Sequence, residues 1–398
     1  MKSNLLNWDE TLFRDPDVFD VSYVPEQFDY RDTQTEALAF AVKPALHGGR
    51  IMSTVCQGPP ATGKTTSVKK IFELLHGVTD SIVTIHVNCK IDTTEYAVFS
   101  RIYTSLTSQS IASGTSLKRI LDQLAQVIVS KKVKLLICLD DANYLVYQNE
   151  FTNVLYPILR IHEVYPDVDV GVIVVVSDPQ IDVRDTLDVR TRSSFHPEFI
   201  MYPPYTAAEM AGILNLRVIA GLYPNVFPVD LLDRVVEVCM EFGDVRMGLE
   251  LIKRAVLLAE RAGRKKVIDE DLDAVLQSLM NYHLLETVKS LTPAEFLVLK
   301  TAVSLVMNQD PVTTQDIQDA LPADGPKKTR LSEIYLMLED MKLLGFTYVN
   351  QGGGRRRLVS LKQDGPSLLR CIHECEANEE MKAENAVFSK AGQPKTKQ

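Results

Sequence analysis

Long apolar stretches are missing from this chain. No run approaches the roughly 20 consecutive residues a helix needs to cross a bilayer, which argues against an integral membrane protein. The opening residues, MKSNLLNWDETLFRDPD, lack the charged, apolar and small-residue order of a secretory signal, so the expected compartment is the cytoplasm. Cysteine is sparse, with 6 in 398 residues, and Cys56, Cys89 and Cys138 sit in or beside apolar runs, where a reduced thiol packs as a small hydrophobe. A disulfide framework is therefore not expected. Cys371, His373 and Cys375 are close together, but no second ligand pair follows, and zinc sites usually need one. Positive charge is also short: 43 Lys and Arg against 52 Asp and Glu leave a net charge of -9. Phosphate contacts come from cations, so a chain coated for nucleic acid is excluded and any DNA contact must be local.

What remains is the composition of a folded globular chain, with 45% hydrophobic and 24% charged residues. Its length is too great for one hydrophobic core, and domains of about 100 to 200 residues divide it into three. Between residues 50 and 200, IMSTVC (51 to 56), SIVTIHV (81 to 87), VKLLICLD (133 to 140) and VGVIVVVS (170 to 177) are uniformly apolar and separated by segments of helical period. Strands buried on both faces require a parallel sheet covered by helices, so residues 1 to 202 are expected to be α/β and doubly wound. After Pro203 and Pro204 the pattern turns all-helical, over 203 to 281. Thr206 and Glu209 have capping-box spacing, VDLLDRVVEVCMEF has helical period, Gly243 separates it from a helix over 244 to 263, and DEDLDAVLQSLM closes the unit.

Residues 282 to 370 form a third unit. TPAEFLVLKTAVSLVM reads as one helix, Thr313 with Asp316 caps a second, and Leu331, Ile334, Tyr335, Leu338 and Met341 put an apolar stripe on a third. Gly345 is expected to stop that helix, and FTYV, the turn NQGGG and RRRLVSL read as a hairpin. Three helices and a hairpin are the order of a winged helix-turn-helix. The polar residues 371 to 398 are expected to be a disordered tail.

Gly58, Pro59, Pro60, Ala61, Thr62, Gly63, Lys64 and Thr65 satisfy the P-loop pattern, with an apolar strand running in and the helix TTSVKKIFELL, which includes Thr66, running out. Such a loop turns backbone N–H groups toward phosphates at a helix N-terminus, where the dipole favours negative charge. Lys64 is the expected phosphate cation, and Thr65 the expected Mg²⁺ ligand of an ATP or ADP site. Asp140 ends the strand LLICLD and supplies the metal carboxylate. In most AAA+ proteins the next residue is a glutamate that orients the attacking water; here it is Asp141. One methylene fewer draws the carboxylate back by about 1.5 Å, and misplacement of about 1 Å can cost on the order of 100-fold, so slow hydrolysis is expected.

With these motifs the chain resembles the archaeal initiators related to eukaryotic origin recognition subunit one and cell division control protein six, over nearly its whole length. Tyr23, Val24, Pro25 and Glu26, followed by Arg31, Asp32, Thr33 and Gln34, are similar to that family's adenine-side signature, with Asp32 replacing a glutamate. VVVSDPQIDVRDTLDVRTRSSF is similar to its sensor-one strand and arginine-finger segment: the sensor asparagine is here Asp178, an anion that either binds the metal or weakens hydrolysis further, and Arg190 falls on the finger position, with Arg192 the second candidate. Gly243, Asp244, Val245 and Arg246 match its sensor-two lid motif, so the resemblance has Arg246 reaching a nucleotide from the lid. Residues 94 to 116, including TSQSIASGTS, read from residue types alone as a polar connection, and the resemblance puts them where these initiators insert an extra helix that touches DNA. The resemblance also implies double-stranded origin DNA and a replicative helicase of the MCM type as partners, a second initiator copy on DNA, and a nucleoid-associated location.

In a winged helix the third helix enters the major groove and the hairpin reaches the adjacent backbone. Lys327, Lys328 and Arg330 on the helix, with Arg355, Arg356 and Arg357 after the glycine-rich tip, are the expected DNA contacts. Two other readings share these parts: a transcriptional regulator with an ATPase switch, and a nucleotide-binding paralogue that does not cycle.

Overall fold

The computed structural model describes residues 11–112, 114–322, 325–351 and 354–377. It divides into two compact units, Met1–Leu272 and Asp273–Gln398. Among the described residues no helix is long and apolar enough to cross a membrane.

The first unit opens with a 3-10 turn, Pro16–Phe19, and continues as α1 (Asp32–Leu46), β1 (Thr54–Gln57), α2 (Lys64–His76), β2 (Ile82–Asn88), α3 (Glu95–Thr107), α4 (Leu117–Lys131) and β3 (Lys134–Asp140). Then come α5 (Asn143–Tyr147), α6 (Phe151–Val164), β4 (Val170–Val176), α7 (Val189–Ser194) and β5 (Glu198–Met201). The strands pair in parallel in the order β2-β3-β4-β1-β5. Alternation explains the apolar runs. Leu135, Ile137 and Leu139 of β3 enter one core, with α3, α4 and α6, whereas Leu136 and Cys138 enter the other, with α1 and α2. Each such side chain, fully buried, contributes about 1.5 to 3 kcal/mol. The fifth strand is short: EFIM has three apolar residues, of which only Ile200 is buried at the sheet edge. Thr94 caps α3, whose Val98, Phe99, Ile102 and Leu106 are buried, so the segment over 94 to 116 begins as a core helix and only its later part is a polar connection to α4.

Helices α8 (Ala207–Gly221), α9 (Val229–Phe242) and α10 (Val245–Arg261) form a lid within the same unit. Thr206 and Glu209 close a capping box on α8, and Gly243, at φ 67, ends α9 in the left-handed conformation that glycine adopts without strain. The N-terminal segment, from residue 11, packs on this lid. The Arg14 and Asp15 amides donate to the Gly221 carbonyl at 2.9 and 3.1 Å, Phe13 bridges Leu222, and Lys253 pairs with Asp20 at 3.1 Å. Phe19 lies so close to Gly221 that a β-carbon there would meet its ring at 2.4 Å.

Helix α11 (Asp269–Ser290) does not stop near residue 280 but runs 22 residues, and the division between the units falls inside it rather than at 281. Leu284 and Val288 continue its buried side into the second core, so the helix has no reason to end earlier. The second unit then holds α12 (Pro293–Asn308), β6 (Val312–Thr313), α13 (Thr314–Ala320), α14 (Lys328–Asp340), β7 (Leu344–Gln351) and β8 (Gly354–Leu361). β6, β8 and β7 form an antiparallel sheet, the hairpin of a winged helix. α14 stops at Asp340, and Lys342, at φ 55, makes the left-handed turn. Gly345 is not the stop: it lies in β7, where a β-carbon would meet the Lys362 side chain at 2.5 Å. A helix over 365 to 377 follows. It buries Leu368, Cys371, Ile372 and Cys375 in the second core, and Glu376 pairs with Lys300 of α12, so the disordered tail expected from 371 does not begin there. The rest of that tail, 378 to 398, lies outside the described residues.

Candidate functional site

The C-terminal ends of β1, β3 and β4 open into a cleft of about 1370 Å³, walled by the P-loop, the N-terminal segment, α5, α8 and α10. Gly63 adopts φ 88 and hands the chain to α2, so the loop leaves amides at a helix N-terminus. Gly58 is held by close approach: a β-carbon would meet the Tyr202 carbonyl at 2.1 Å. Lys64 is buried, and its ammonium donates to the carbonyls of Gly58 at 2.8 Å and Pro59 at 2.6 Å. Burial pushes its pKa down to about 8, while Asp141 and Asp140 pull the other way. Pro60, Ala61, Thr62, Gly63, Lys64, Thr65 and Thr66 line the cleft; Gly58 and Pro59 stand behind it as acceptors for Lys64.

The Thr65 hydroxyl lies 3.0 Å from both carboxylate oxygens of Asp140. That pair suits a hard divalent cation, and Mg²⁺ is commonly held by one or two protein oxygens together with substrate phosphates. Asp141 follows at φ 53, a left-handed position that Asp tolerates better than most residues, and its Oδ1 accepts from the Ser177 hydroxyl at 2.8 Å. Asp178 lines the same cleft and accepts from Tyr147 at 2.7 Å. From the lid, Asp244 caps α10, accepting from the Arg246 amide at 2.8 Å while holding its guanidinium at 2.6 Å. That contact raises the pKa of Arg246, which also feels Asp141. Tyr23, Val24 and Pro25 complete the wall. Arg190 is not among the lining residues: it is exposed on α7, and neighbouring Arg192 pairs with Asp185 at 3.6 Å.

In the second unit Lys327, Lys328 and Arg330 stand exposed at the start of α14. Further along, the exposed face carries Glu333, Leu336 and Met337, so the cations are confined to the first turn. Arg356 is exposed, but Arg357 is turned inward: its guanidinium lies 3.9 Å over the Phe346 ring and 3.4 Å from Glu339. Successive strand residues face opposite ways, so Arg356 and Arg357 cannot share one surface. Gly352, Gly353 and the side chain of Arg355 lie outside the described residues.

The family model described as an AAA domain matches residues 50–182, and that of the Cdc6 AAA+ ATPase-type lid domain matches residues 211–276. An ORC1-type DNA replication protein of Haloarcula marismortui is 37% identical over 372 residues, covering 92% of this chain and 98% of the relative. The chain belongs to the ORC1-type DNA replication protein family. Two solved members show the same fold. The Aeropyrum pernix ORC1 protein in complex with DNA matches at a TM-score of 0.70 and 24% identity, over 92% of this chain and 98% of that one. The Aeropyrum pernix ORC2 protein, solved as ADPNP-ADP complexes, matches at 0.64 and 20%, over 93% and 100%.

Within this ORC1-type chain several site residues escaped sequence reasoning. Arg31 was read only as part of a signature, yet it is buried beneath the P-loop. Its guanidinium donates to the carbonyls of Thr62 at 2.9 Å and Pro203 at 2.7 Å and lies 3.8 Å over the Tyr205 ring, tying loop, sheet and lid entry together. His86 contacts Asp140 at 3.0 Å from the neighbouring strand, and nothing in its apolar run signals this. Arg217 of α8 sits 4.8 Å over the Tyr23 ring, and burial lowers its pKa.

Proposed function

We propose that this chain is a replication initiator that binds adenine nucleotide in the cleft and uses it to control its grip on duplex origin DNA. The observation that carries the reading is the Thr65 and Asp140 pair facing Lys64 at the strand ends, with Arg246 entering the same cleft from the lid. Lys64 and the P-loop amides hold phosphates. Thr65 and Asp140 hold Mg²⁺, which supplies neutralisation of phosphate charge. Arg246 senses the nucleotide from the lid, and Arg190 contacts a second copy on DNA, a role its exposure outside the cleft lining supports.

Asp141 orients the attacking water from a short side chain, and Asp178, an anion, offers no donor to phosphate where the resemblance has an asparagine. Both favour slow hydrolysis, so bound nucleotide acts as a switch. Lys327, Lys328, Arg330, Arg355 and Arg356 contact DNA phosphates; Arg357 supports the wing from within. Recruitment of an MCM-type helicase completes the role, and its support is the family alone.

A footprint on chromosomal duplex, with and without ATP, tests the switch. Lys64→Ala is expected to weaken ATP binding by about 100-fold, as loss of a charge-assisted phosphate contact does, and to leave only the nucleotide-free footprint. Identical footprints in all conditions overturn the switch, and ATP affinity unaltered by Lys64→Ala overturns the site.

A further inference from the structure

Three carboxylates stand at the ends of β3 and β4, and each takes a hydroxyl. Asp140 meets Thr65, Asp141 meets Ser177, and Asp178 meets Tyr147. The third contact differs from the others because its donor lies on the rim. Tyr147 ends α5 and is 53% exposed, and its ring meets Tyr144 edge-on at 5.8 Å. Lys90 in turn stands 5.6 Å from the Tyr144 ring, so an aromatic bridge runs from beyond β2 to beyond β4 across the cleft mouth. The other oxygen of Asp178 accepts from the Gln180 amide at 2.9 Å. With one oxygen tied to its own turn and the other to α5, the carboxylate has a fixed orientation.

Its place relative to the cleft follows from its neighbours. Ser177 touches Asp141, and the side chain of Gln57, the residue before the P-loop, donates to the Asp178 carbonyl at 3.5 Å, so Asp178 lines the cleft beside the strand ends. An acid at that end repels a polyphosphate, and the repulsion grows as the carboxylate approaches and as the chain of phosphates lengthens. A donated O–H spreads the negative charge and prevents the side chain from swinging inward.

We propose that Tyr147 is a positioning residue that pins Asp178 at the rim of the cleft, so that the carboxylate does not oppose the last phosphate of a nucleoside triphosphate. This deepens the nucleotide reading and rests on it. Tyr147 acts through Asp178, so its importance depends on that acid being charged: the pair is a matched replacement for a neutral side chain.

Calorimetric titration of the full chain with ATP and with ADP tests this in the wild type, Tyr147→Phe, Asp178→Asn and the double variant. Tyr147→Phe is expected to weaken ATP by about fivefold and ADP by less than about twofold, the order of one exposed hydrogen bond to a charged group. In the Asp178→Asn background the same change is expected to leave ATP affinity within about twofold, because no carboxylate remains to be pinned. Melting temperatures check the fold, and the exposure of Tyr147 predicts little change. ATP affinity unaltered by Tyr147→Phe, or weakened equally in both backgrounds, overturns the proposal and leaves the nucleotide reading intact. A wild type that binds neither nucleotide overturns both.

Discussion

The cleft of the first unit and the wing of the second both gather cations, yet they hold them in opposite ways. At and beneath the cleft the positive groups are fixed by protein partners: Lys64 by the Gly58 and Pro59 carbonyls, Arg31 by those of Thr62 and Pro203, Arg246 by the Asp244 carboxylate. On the wing and its helix, Arg356, Lys327, Lys328 and Arg330 stand in solvent, and the arginine that is held, Arg357, is held by Phe346 and Glu339. A site for one compact anion gains from fixed donors that need no reorganisation. A surface that follows a long phosphate backbone instead works through counterion release, which exposed and mobile cations supply. Arg31 and Arg357 are then the same device in two places, a cation that supports its neighbours by stacking on aromatic rings.

The largest test of this contrast is Arg31→Ala. It strips the charged donor from buried carbonyls and is expected to lower the urea unfolding free energy by about 3 kcal/mol. A loss below about 1 kcal/mol means that the arginine is no strut. Asp141→Glu probes the catalytic edge of the cleft: single-turnover ATP hydrolysis is expected to rise about tenfold, less than a full correction of reach, because the left-handed backbone suits Glu less well than Asp. Hydrolysis unchanged or slower removes the short side chain as the cause. Smallest is the wing pair. Arg356→Ala is expected to reduce the salt slope of duplex binding by about 1, whereas Arg357→Ala leaves the slope alone and costs about 1 kcal/mol of stability. Equal slopes for the two variants erase the distinction between them.

The parallel sheet was legible because both faces of its central strands are covered, which makes β3 and β4 almost continuously apolar, and the cleft because a P-loop is a contiguous stretch whose spacing fixes its own backbone. β5 was not legible, since its four residues, between Pro197 and Pro203, are too short a run to show a period. Nor was the course of the N-terminal segment, whose Phe13, Val18 and Phe19 are ordinary apolar residues until the lid is folded beneath them. The run of arginines misled for a geometric reason. Composition counts cations, and a strand then distributes them to two faces.

By itself the sequence determined the local chemistry: a glycine-bounded loop before a helix, acids closing apolar strands, a Gly-Asp-Val-Arg stretch at the start of a helix, and a helix-and-hairpin order at the far end. The tertiary structure alone decided which groups meet. Thr65 and Asp140 lie 75 positions apart, Tyr147 and Asp178 31, and Arg31 and Pro203 172. Contacts at such separations depend on strand order and lid packing, which arise from the summed burial of many side chains and are written in no single motif.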